Sequence, residues 1–330
     1  MNGAEDFLLK CASETGVDLA GICDLSVFSS HAETVRRGVG DEPLAFYRKG
    51  IEGRFDLRGE WDRAEGIISF GMSYLQSEEN PPDDGYVRIC RASWGRDYHD
   101  VLKEHAERMM ELFIKQYPLD YRIYVDSGEL SDRSCAYSAG LGFYSKNGFI
   151  VSPVYGSFIF LGHILTDKAL FSSHEPMECG CAGCDRCISA CPTGALGEKP
   201  YVDYERCISF LNQKGRSYFV TDYVYGCDIC QEVCPYNLRA PKDLHPEFAP
   251  DKDLIKIRPQ DLIDMDTESF DRHYGSAALS WRGPGTLKKN AKRILKRNMD
   301  VFVPPDDIID PEQDGRRPKD RKKKGGNDHV

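Results

Sequence analysis

Hydrophobic positions in the first 170 residues follow two alternating spacings. The stretch "AEDFLLKCASETG" at 4–16 carries apolar residues at helical spacing, and the apolar run "VDLAGICDL" at 17–25 predicts a β-strand behind it. A second strand is predicted over "GIISFGMSYL" at 66–75. Because helices alternate with apolar strands, this pattern favours an α/β domain over residues 1–170.

Two further elements complete the predicted domain. The run "FIVSPVYGSFIFLGHILTD" at 149–167 contains two β-rich segments joined near Pro153 and Gly156, which is typical of a hairpin. A helix of about five turns precedes "KQYP" at 115–118, and its apolar positions recur near every 3.6 residues, as expected of a core-facing stripe. These positions are Val101, Leu102, Ala106, Met109 and Phe113.

Composition narrows the class of protein. The 330 residues are 41% hydrophobic and 29% charged, which is ordinary for a globular protein in water. No apolar run approaches the roughly 18 residues that a membrane helix needs. The N-terminus shows no basic segment, twin arginine or small-residue cleavage site. We therefore expect a cytoplasmic protein that does not contact a membrane.

Charge is distributed unevenly along the chain. The net charge is -10, yet the segment 281–297 reads as a loop and a helix rich in basic residues. Such a helix is either a solvated surface or a binding site for nucleic-acid phosphates. The charged, aromatic-free tail 304–330 is predicted to be disordered. The basic residues of the segment are Arg282, Lys288, Lys289, Lys292, Arg293, Lys296 and Arg297.

Eight cysteines have the spacing of iron-sulfur ligands. The first four follow C-x2-C-x2-C-x3-C-P, a ferredoxin pattern in which three thiolates bind one 4Fe-4S cluster and the fourth binds another. A later run repeats the C-x2-C-x3-C-P ending, and Cys207 supplies the missing ligand. This sharing rule assigns Cys181, Cys184, Cys187 and Cys234 to one cluster, and Cys191, Cys207, Cys227 and Cys230 to the other.

Two structural zinc sites are the alternative, because four thiolates also suit tetrahedral zinc. Zinc sites usually pair C-x2-C units at a distance, whereas here three intervals run together, so the spacing favours clusters.

We predict a ferredoxin-like domain with two 4Fe-4S clusters at 171–240 and a mixed, largely helical extension at 241–303. The remaining thiols, Cys11, Cys23, Cys90, Cys135 and Cys179, read by default as buried hydrophobes or bystanders.

Several longer motifs resemble one family. These are "CRASWGRDYHDVL" at 90–102, "VDSGELSDR" at 125–133, "AGLGFYSKN" at 139–147, "RCISFL" at 206–211, "YGCDICQEVCP" at 225–235 and "SWRG" at 280–283. In this order they are similar to epoxyqueuosine reductases, over most of residues 5–295. The resemblance implies an N-terminal domain that binds cobalamin, and the two clusters feed that cofactor. It further implies that the epoxide of epoxyqueuosine at the tRNA wobble position is reduced to queuosine.

The resemblance also implies roles for individual residues. Asp126 matches the general acid of the family's V-D-[ST]-G motif, which protonates the oxygen as its C–O bond breaks. We expect burial beside the cofactor to raise the pKa of this carboxyl. Without the family, Asp126 and Glu129 would read as a helix cap. The cobalamin contacts implied by the resemblance are Arg54, Cys90, Asp126, Ile150, Leu161, Ser209 and Asp228.

The resemblance leaves partners and alternatives to consider. It implies a tRNA substrate and an external low-potential electron donor of the flavodoxin or ferredoxin type, and we expect a monomer. Many family members continue into helical repeats, whereas this sequence ends in the charged tail, so the basic segment is expected to contribute phosphate contacts. A cobalamin-dependent reductive dehalogenase and a ferredoxin-type electron-transfer protein are the alternative functions. The dehalogenases normally carry an export signal, which this sequence does not show.

Overall fold

The computed structural model describes residues 3–30, 53–79, 85–172, 174–197, 202–215, 221–251 and 255–298. The predicted tail 304–330 and the side chain of Arg297 lie outside the described residues. In chain order, the helices of these ranges are α1 (Gly3–Thr15), α2 (Leu57–Glu60), α3 (Tyr98–Phe113), α4 (Asp132–Ser138), α5 (Arg186–Ala190), α6 (Ile208–Lys214), α7 (Ile229–Glu232), α8 (Pro235–Arg239), α9 (Pro259–Asp264), α10 (Thr267–Tyr274) and α11 (Gly283–Asn298). The strands are β1 (Leu19–Cys23), β2 (Gly66–Ser73), β3 (Arg88–Ile89), β4 (Tyr121–Tyr124), β5 (Phe143–Tyr144), β6 (Ile150–Val151), β7 (Ile159–Thr166) and β8 (Tyr223–Tyr225).

The N-terminal part is built on a four-stranded sheet with the order β1-β2-β7-β4. All three pairings are antiparallel, and β2 pairs with β7 from Gly66↔Thr166 to Ser73↔Ile159. Helices and sheet are therefore mixed as predicted. The strands, however, do not form the parallel ladder that alternating helices and strands often indicate.

Strand β2 is buried along its whole length because helices cover both faces of the sheet. Ile68, Phe70 and Met72 lie in one core together with residues of α1 and α3, whereas Ile67 lies in a second core with residues of α4. Successive side chains of a strand point to opposite faces, so a strand covered on both sides reads as a continuous apolar run. The predicted strand at 66–75 and helix at 4–16 are confirmed.

Helix α3 carries the predicted apolar stripe. Its five predicted core positions are all buried, and they pack in the same core as α1 and one face of β2. The helix begins after Asp97, whose side chain accepts a hydrogen bond from the backbone N–H of His99 at 3.0 Å. This N-cap satisfies a donor that would otherwise lack a partner, and it brings Tyr98 and His99 to the start of the helix.

The predicted hairpin at 149–167 is only partly present. A turn does form, because Ser152 and Gly156 exchange backbone hydrogen bonds. The strands on its two sides do not pair with each other: β6 pairs with β5, and β7 pairs with β2 and β4. Both runs are strand-like locally, but β7 pairs at eight positions with β2 and at four with β4, which is more pairing than the two-residue β6 can provide.

The C-terminal helices form a third core with a segment from the N-terminal half. Strands β3 and β8 pair in parallel, so residues 87–94 pack beside 223–225 and the helices α9, α10 and α11. This packing brings Cys90 next to the cysteine region. None of the helices in the described ranges combines the length and the apolar character needed to cross a bilayer. Buried members of this core include Val87, Trp94, Val224, Leu262, Phe270 and Leu287.

Candidate active site and cysteine clusters

Asp126 lies in a strained loop that follows β4. Its φ is +43°, and Asp243 at +58° is the other non-glycine residue with positive φ in the described ranges. Left-handed backbone is uncommon outside glycine, although Asp and Asn adopt it more readily than most, and such strain is concentrated at functional sites. Ser131, rather than Asp126, caps α4 by accepting from the Ser134 N–H. The reading of Asp126 as a helix cap is therefore wrong.

The loop is held from the outside by Glu60. Its carboxylate accepts a hydrogen bond from the Glu129 N–H at 2.7 Å. Gly128 has a φ of +79°, and a Cβ there would lie 2.9 Å from a Glu60 oxygen, so this position needs glycine for both reasons. The loop backbone is thus fixed while the Asp126 side chain stays 69% exposed. We call the surface around this exposed side chain, between the loop after β4 and the start of α3, the cleft.

Two residues at the start of α3 contact the Asp126 carboxylate. Tyr98 donates its hydroxyl proton to Oδ2 at 2.8 Å, and Nε2 of His99 lies 3.8 Å from the same oxygen. The Tyr98 ring stacks on Phe160 with a centroid separation of 4.2 Å and also on the His99 ring at 4.1 Å. On its other side, His99 Nδ1 lies 2.5 Å from Asp97 Oδ1.

These contacts change the proton affinities of the group. Partial loss of hydration next to the neighbouring side chains raises the pKa of the exposed Asp126 carboxyl, but the interactions with His99 and Tyr98 and the positive charge of His99 outweigh it, and the pKa lies below its ordinary value. The expected rise in the pKa of Asp126 is therefore wrong, because a cationic partner and a hydroxyl donor stabilise the carboxylate. Burial lowers the pKa of His99, but Asp126 and Asp97 outweigh it and raise it to about 9.

Tyr98 and His99 were not predicted as site residues. They lie 28 and 27 positions before Asp126, and no local pattern joins a helix start to a distant loop. Both residues lie inside the motif at 90–102, which indicates the family but no role for either side chain. Adjacent Tyr and His directly after a capping Asp read, by themselves, as an ordinary first turn.

Three of the predicted cofactor contacts lie near Tyr225. The Cys90 N–H donates to the Tyr225 carbonyl at 3.0 Å, while Asp228 Oδ2 accepts from the Arg91 N–H at 2.7 Å. Burial, and then the charges of Cys90 and Asp126, raise the pKa of the Tyr225 hydroxyl. The structure thus brings Cys90, Asp126 and Asp228 to one region of the molecule.

Gly226 allows this region to approach the cysteines. Its φ is +63°, and a Cβ at this position would lie 2.2 Å from Cys90 Sγ, so the backbone directly before Cys227 packs against Cys90. Burial raises the pKa of the Asp228 carboxyl to about 7. Cys90 and the backbone before Cys227 are therefore in direct contact, and Tyr225 lies within electrostatic reach of both Cys90 and Asp126.

The other predicted contacts lie farther apart. Arg54 donates from Nη1 to the Leu130 carbonyl at 3.3 Å and so lies beside the Asp126 loop. Ile150 is buried in the second core and Leu161 packs against it, while Ser209 lies in the first turn of α6 after Cys207. Contacts of these residues with a cofactor stay predictions.

The first predicted set of thiols shares its surroundings. Burial, and next to it the charges of Cys179 and Cys234, raise the pKa of Cys181 to about 11. Burial and the charges of Cys234 and Cys184 raise the pKa of Cys187. Cys234 thus lies with the early run even though about fifty positions separate them in the sequence.

The thiols of the second predicted set also share their surroundings. Burial and the charge of Cys191 raise the pKa of Cys207, and burial with the charges of Asp228, Cys207 and Cys191 raises that of Cys227. The pKa of Cys230 is raised by burial, by Cys227 and Cys207, and more weakly by Cys187 of the first set. The two sets are therefore adjacent. Since metal ligation requires thiolates, raised thiol pKa values mean that binding would release protons.

The thiols are not grouped around single ions. No three His, Cys, Asp or Glu side chains within the described ranges are placed to hold one metal ion. Zinc would bring its ligands to within about 2.3 Å of one centre. A 4Fe-4S cluster instead binds each thiolate through a different iron.

Two family models match the chain. One, described as epoxyqueuosine reductase QueG, DUF1730, matches residues 54–127, and the other, described as a 4Fe-4S double cluster binding domain, matches residues 180–237. The epoxyqueuosine reductase of Bacillus subtilis is 35% identical over 318 residues, which cover 91% of this chain and 80% of that protein. The epoxyqueuosine reductase of Listeria monocytogenes is 37% identical and covers 94% of this chain and 85% of its own.

Solved structures agree with these matches. An epoxyqueuosine reductase in complex with an epoxyqueuosine-modified tyrosine tRNA stem loop has a TM-score of 0.79 and 32% identity, and the match covers 90% of this chain and 82% of that one. The Bacillus subtilis enzyme, in a form with its catalytic loop swung out of the active site, has a TM-score of 0.79 and 33% identity over the same shares. The chain has the fold of these enzymes, carries a double-cluster domain, and belongs to the epoxyqueuosine reductase family.

Proposed function

We propose that this protein reduces the epoxide of epoxyqueuosine at the wobble position of tRNA to the alkene of queuosine. The observation that carries this proposal is the junction between an exposed acid and a cluster-type cysteine region. Asp126 is 69% exposed, Tyr225 lies within electrostatic reach of both Asp126 and Cys90, and Cys90 packs against the backbone before Cys227. Family membership supplies the substrate class, because relatives that are 35% and 37% identical over 91% and 94% of this chain carry that name.

The chemistry explains why both parts are needed. Converting an epoxide to an alkene consumes two electrons and two protons and releases the oxygen as one water molecule. The oxygen leaves poorly as an anion, so a positioned acid that protonates it lowers the barrier, typically by a factor of 10²–10⁴. Asp126 is the acid that the cleft exposes. The electrons reach the cleft from the cysteine region, through residues that contact Cys90.

The electrons are carried by two 4Fe-4S clusters that share the two cysteine runs. The charge interactions within each set support this assignment, and the charge interaction of Cys230 with Cys187 supports adjacent clusters. A low-potential donor of the flavodoxin or ferredoxin type supplies the electrons, and the protein acts as a cytoplasmic monomer. The ligands are Cys181, Cys184, Cys187 and Cys234 for one cluster, and Cys191, Cys207, Cys227 and Cys230 for the other.

Cobalamin is bound by the N-terminal domain, residues 1–170, which precedes the ferredoxin-like domain at 171–240 and the extension at 241–303. The Asp126 carboxylate, whose side chain is 69% exposed beside Tyr98 and His99, is accessible to such a group. When bound, the cofactor supplies a strongly reducing metal centre. The chain holds it with Arg54, Cys90, Asp126, Ile150, Leu161, Ser209 and Asp228.

A basic helix offers a surface for the tRNA backbone. Lys289, Lys292 and Lys296 are exposed on α11 and recur every three to four residues, so they lie along one face. Arg293 instead donates to the Gly215 carbonyl at 2.8 Å and serves the fold. We assign the exposed lysines to phosphate contacts, since a local basic face binds nucleic acid in spite of a negative net charge.

Removing two of these lysines should weaken tRNA binding and reduce its salt dependence. For Lys289→Ala combined with Lys292→Ala, we expect the slope of log affinity against log salt to become shallower by about two, one for each lost phosphate contact. The measurement is a filter-binding titration at several salt concentrations. Lys10→Ala with Lys103→Ala, which removes two exposed lysines that pair with glutamates four residues on, is the matched control and should not change the slope. An unchanged slope in the α11 variant would remove this helix from the tRNA site.

Trp281 is an exposed aromatic side chain two residues before the start of α11. Its indole is 57% exposed, its Nε1 donates to the Tyr225 hydroxyl at 3.1 Å, and the Arg282 guanidinium lies 3.6 Å from its centroid. Unpaired bases stack on such aromatic faces. Trp281→Ala should cost about 1–3 kcal/mol of tRNA binding. Trp281→Phe should retain most of the affinity; equal losses in both variants would indicate that the Nε1 hydrogen bond matters and stacking does not.

The function is tested in a bacterial strain that lacks its own epoxyqueuosine reductase. The gene for this chain is expressed there, and tRNA nucleosides are separated and identified by mass spectrometry. Queuosine should replace the accumulated epoxyqueuosine. If epoxyqueuosine persists although the protein is present with iron and cobalt bound, the proposed substrate is wrong.

A further inference from the structure

The proposed reaction needs more protons than one carboxyl can supply. Each epoxide oxygen that leaves as water takes up two protons, and a single carboxyl donates one before it must be recharged. Asp126 is also held as a carboxylate at neutral pH, because His99 and Tyr98 lower its pKa. A second group beside Asp126 that holds a proton at neutral pH can recharge it faster than solvent water.

His99 lies where such a group is needed. Its Nδ1 is 2.5 Å from Asp97 Oδ1, and its Nε2 is 3.8 Å from Asp126 Oδ2. The first contact is a hydrogen bond, which fixes the ring, and the second is an ion-pair separation that a movement of about 1 Å turns into a hydrogen bond. With 30% of its side chain exposed, His99 can also exchange protons with water.

The surrounding groups favour the charged imidazolium. Asp97 and Asp126 are the carboxylates that face the ring, and together they raise the pKa of His99 to about 9 in spite of burial. Two charged residues of α4 reach the Tyr98–Asp126 pair. The charge of Asp132 contributes to the raised pKa of Tyr98, and the charge of Arg133 contributes to the low pKa of Asp126. Tyr98 supplies a neutral hydroxyl. Burial and the nearby Asp126 raise its pKa too far for it to release a proton at neutral pH.

We propose that His99 is the positioning residue that supplies Asp126 with protons for the two C–O bond cleavages. As negative charge develops on the epoxide oxygen, the Nε2–H bond of His99 breaks and an O–H bond forms on Asp126. The Asp126 O–H bond then breaks as the substrate oxygen gains the proton. Neutral His99 takes a proton from water, and the same transfer serves the second cleavage, which releases the oxygen as water. The two electrons come from the clusters and their low-potential donor. This inference rests on the proposed function.

The pH dependence of turnover distinguishes this role from a structural one. The wild-type protein should keep its rate through neutral pH and lose it as the pH rises through about 9, where His99 gives up its proton. His99→Gln keeps a polar side chain but has no acidic proton to transfer. We therefore expect a loss of about 100-fold in kcat at neutral pH, with little change in KM for tRNA. Its rate should recover partly towards acidic pH, where solvent protonates Asp126 directly. His273→Gln, in an exposed turn of α10, is the matched control and should match the wild type.

A second measurement does not depend on activity. In the full chain labelled with ¹⁵N-histidine, the ring nitrogens of His99 should titrate near pH 9, and Asp97→Asn should shift this midpoint towards the ordinary value of about 6.5. The His99→Gln spectrum identifies the resonance, and a matching circular dichroism spectrum shows that the variant folds. A midpoint near 6.5 in the wild type would overturn the inference.

The two proposals fail in different ways. If the wild-type protein converts epoxyqueuosine and His99→Gln does so equally at every pH, only the role of His99 is wrong. If the wild-type protein with both clusters and cobalamin converts none, the proposed function is wrong, and the proton role is lost with it.

Discussion

Asp126→Asn should abolish conversion of epoxyqueuosine, by a factor of at least about 10²–10⁴, while the iron and cobalt contents stay unchanged. The physical reason is that an amide of the same shape cannot donate an acidic proton to the departing oxygen. Asparagine tolerates left-handed backbone about as well as aspartate, so the loop at φ +43° should keep its conformation. The measurement is single-turnover conversion by the reconstituted variant.

Asp243 offers a matched control for this variant. It is the other left-handed aspartate of the described ranges, and it accepts from the Ser77 N–H at 2.8 Å outside the cleft. Asp243→Asn should leave turnover unchanged. Substantial activity in Asp126→Asn would show that the proton comes from another group.

Cys207→Ala should remove one cluster and leave the other. Cys207 lies between the two long cysteine runs in the sequence, and its pKa is raised by burial and by the nearby Cys191. Iron should fall from about eight to about four atoms per chain, because a cluster with three thiolates is held poorly. Turnover should be lost as well, since the electron path is interrupted.

Cys179, two residues before Cys181, provides the control for iron binding. It is exposed and belongs to neither set. Cys179→Ala should keep both clusters. Full iron content in Cys207→Ala would contradict the shared-ligand assignment, and iron loss in Cys179→Ala would mean that the register of the first run is different.

Local pattern was enough for those parts of the molecule that depend on local spacing. Helix α3 shows its buried stripe every 3.6 residues, and β2 shows an unbroken apolar run because both of its faces are covered. The double-cluster domain was also accessible from cysteine spacing, while the division of its ligands into two sets stays a prediction.

Pairing over long distances was not accessible in this way. Strands β6 and β7 look like a hairpin because they are adjacent in sequence, yet β7 finds better partners in β2 and β4. The pKa of Asp126 was mispredicted for the same reason. Its sign depends on His99 and Tyr98, which reach the carboxylate only after α3 packs beside the loop.

The electron path from cluster thiols to the Asp126 cleft is tested most directly by a defined reaction. Anaerobically reconstituted protein, reduced by a low-potential flavodoxin, is mixed with tRNA that contains epoxyqueuosine. The tRNA is then digested, and the masses of its nucleosides are measured by mass spectrometry. We expect a product lighter by one oxygen atom that co-elutes with queuosine, formed only when iron, cobalamin and reductant are all present. Unchanged epoxyqueuosine in a reaction where the protein carries both clusters and the cofactor would contradict this scheme.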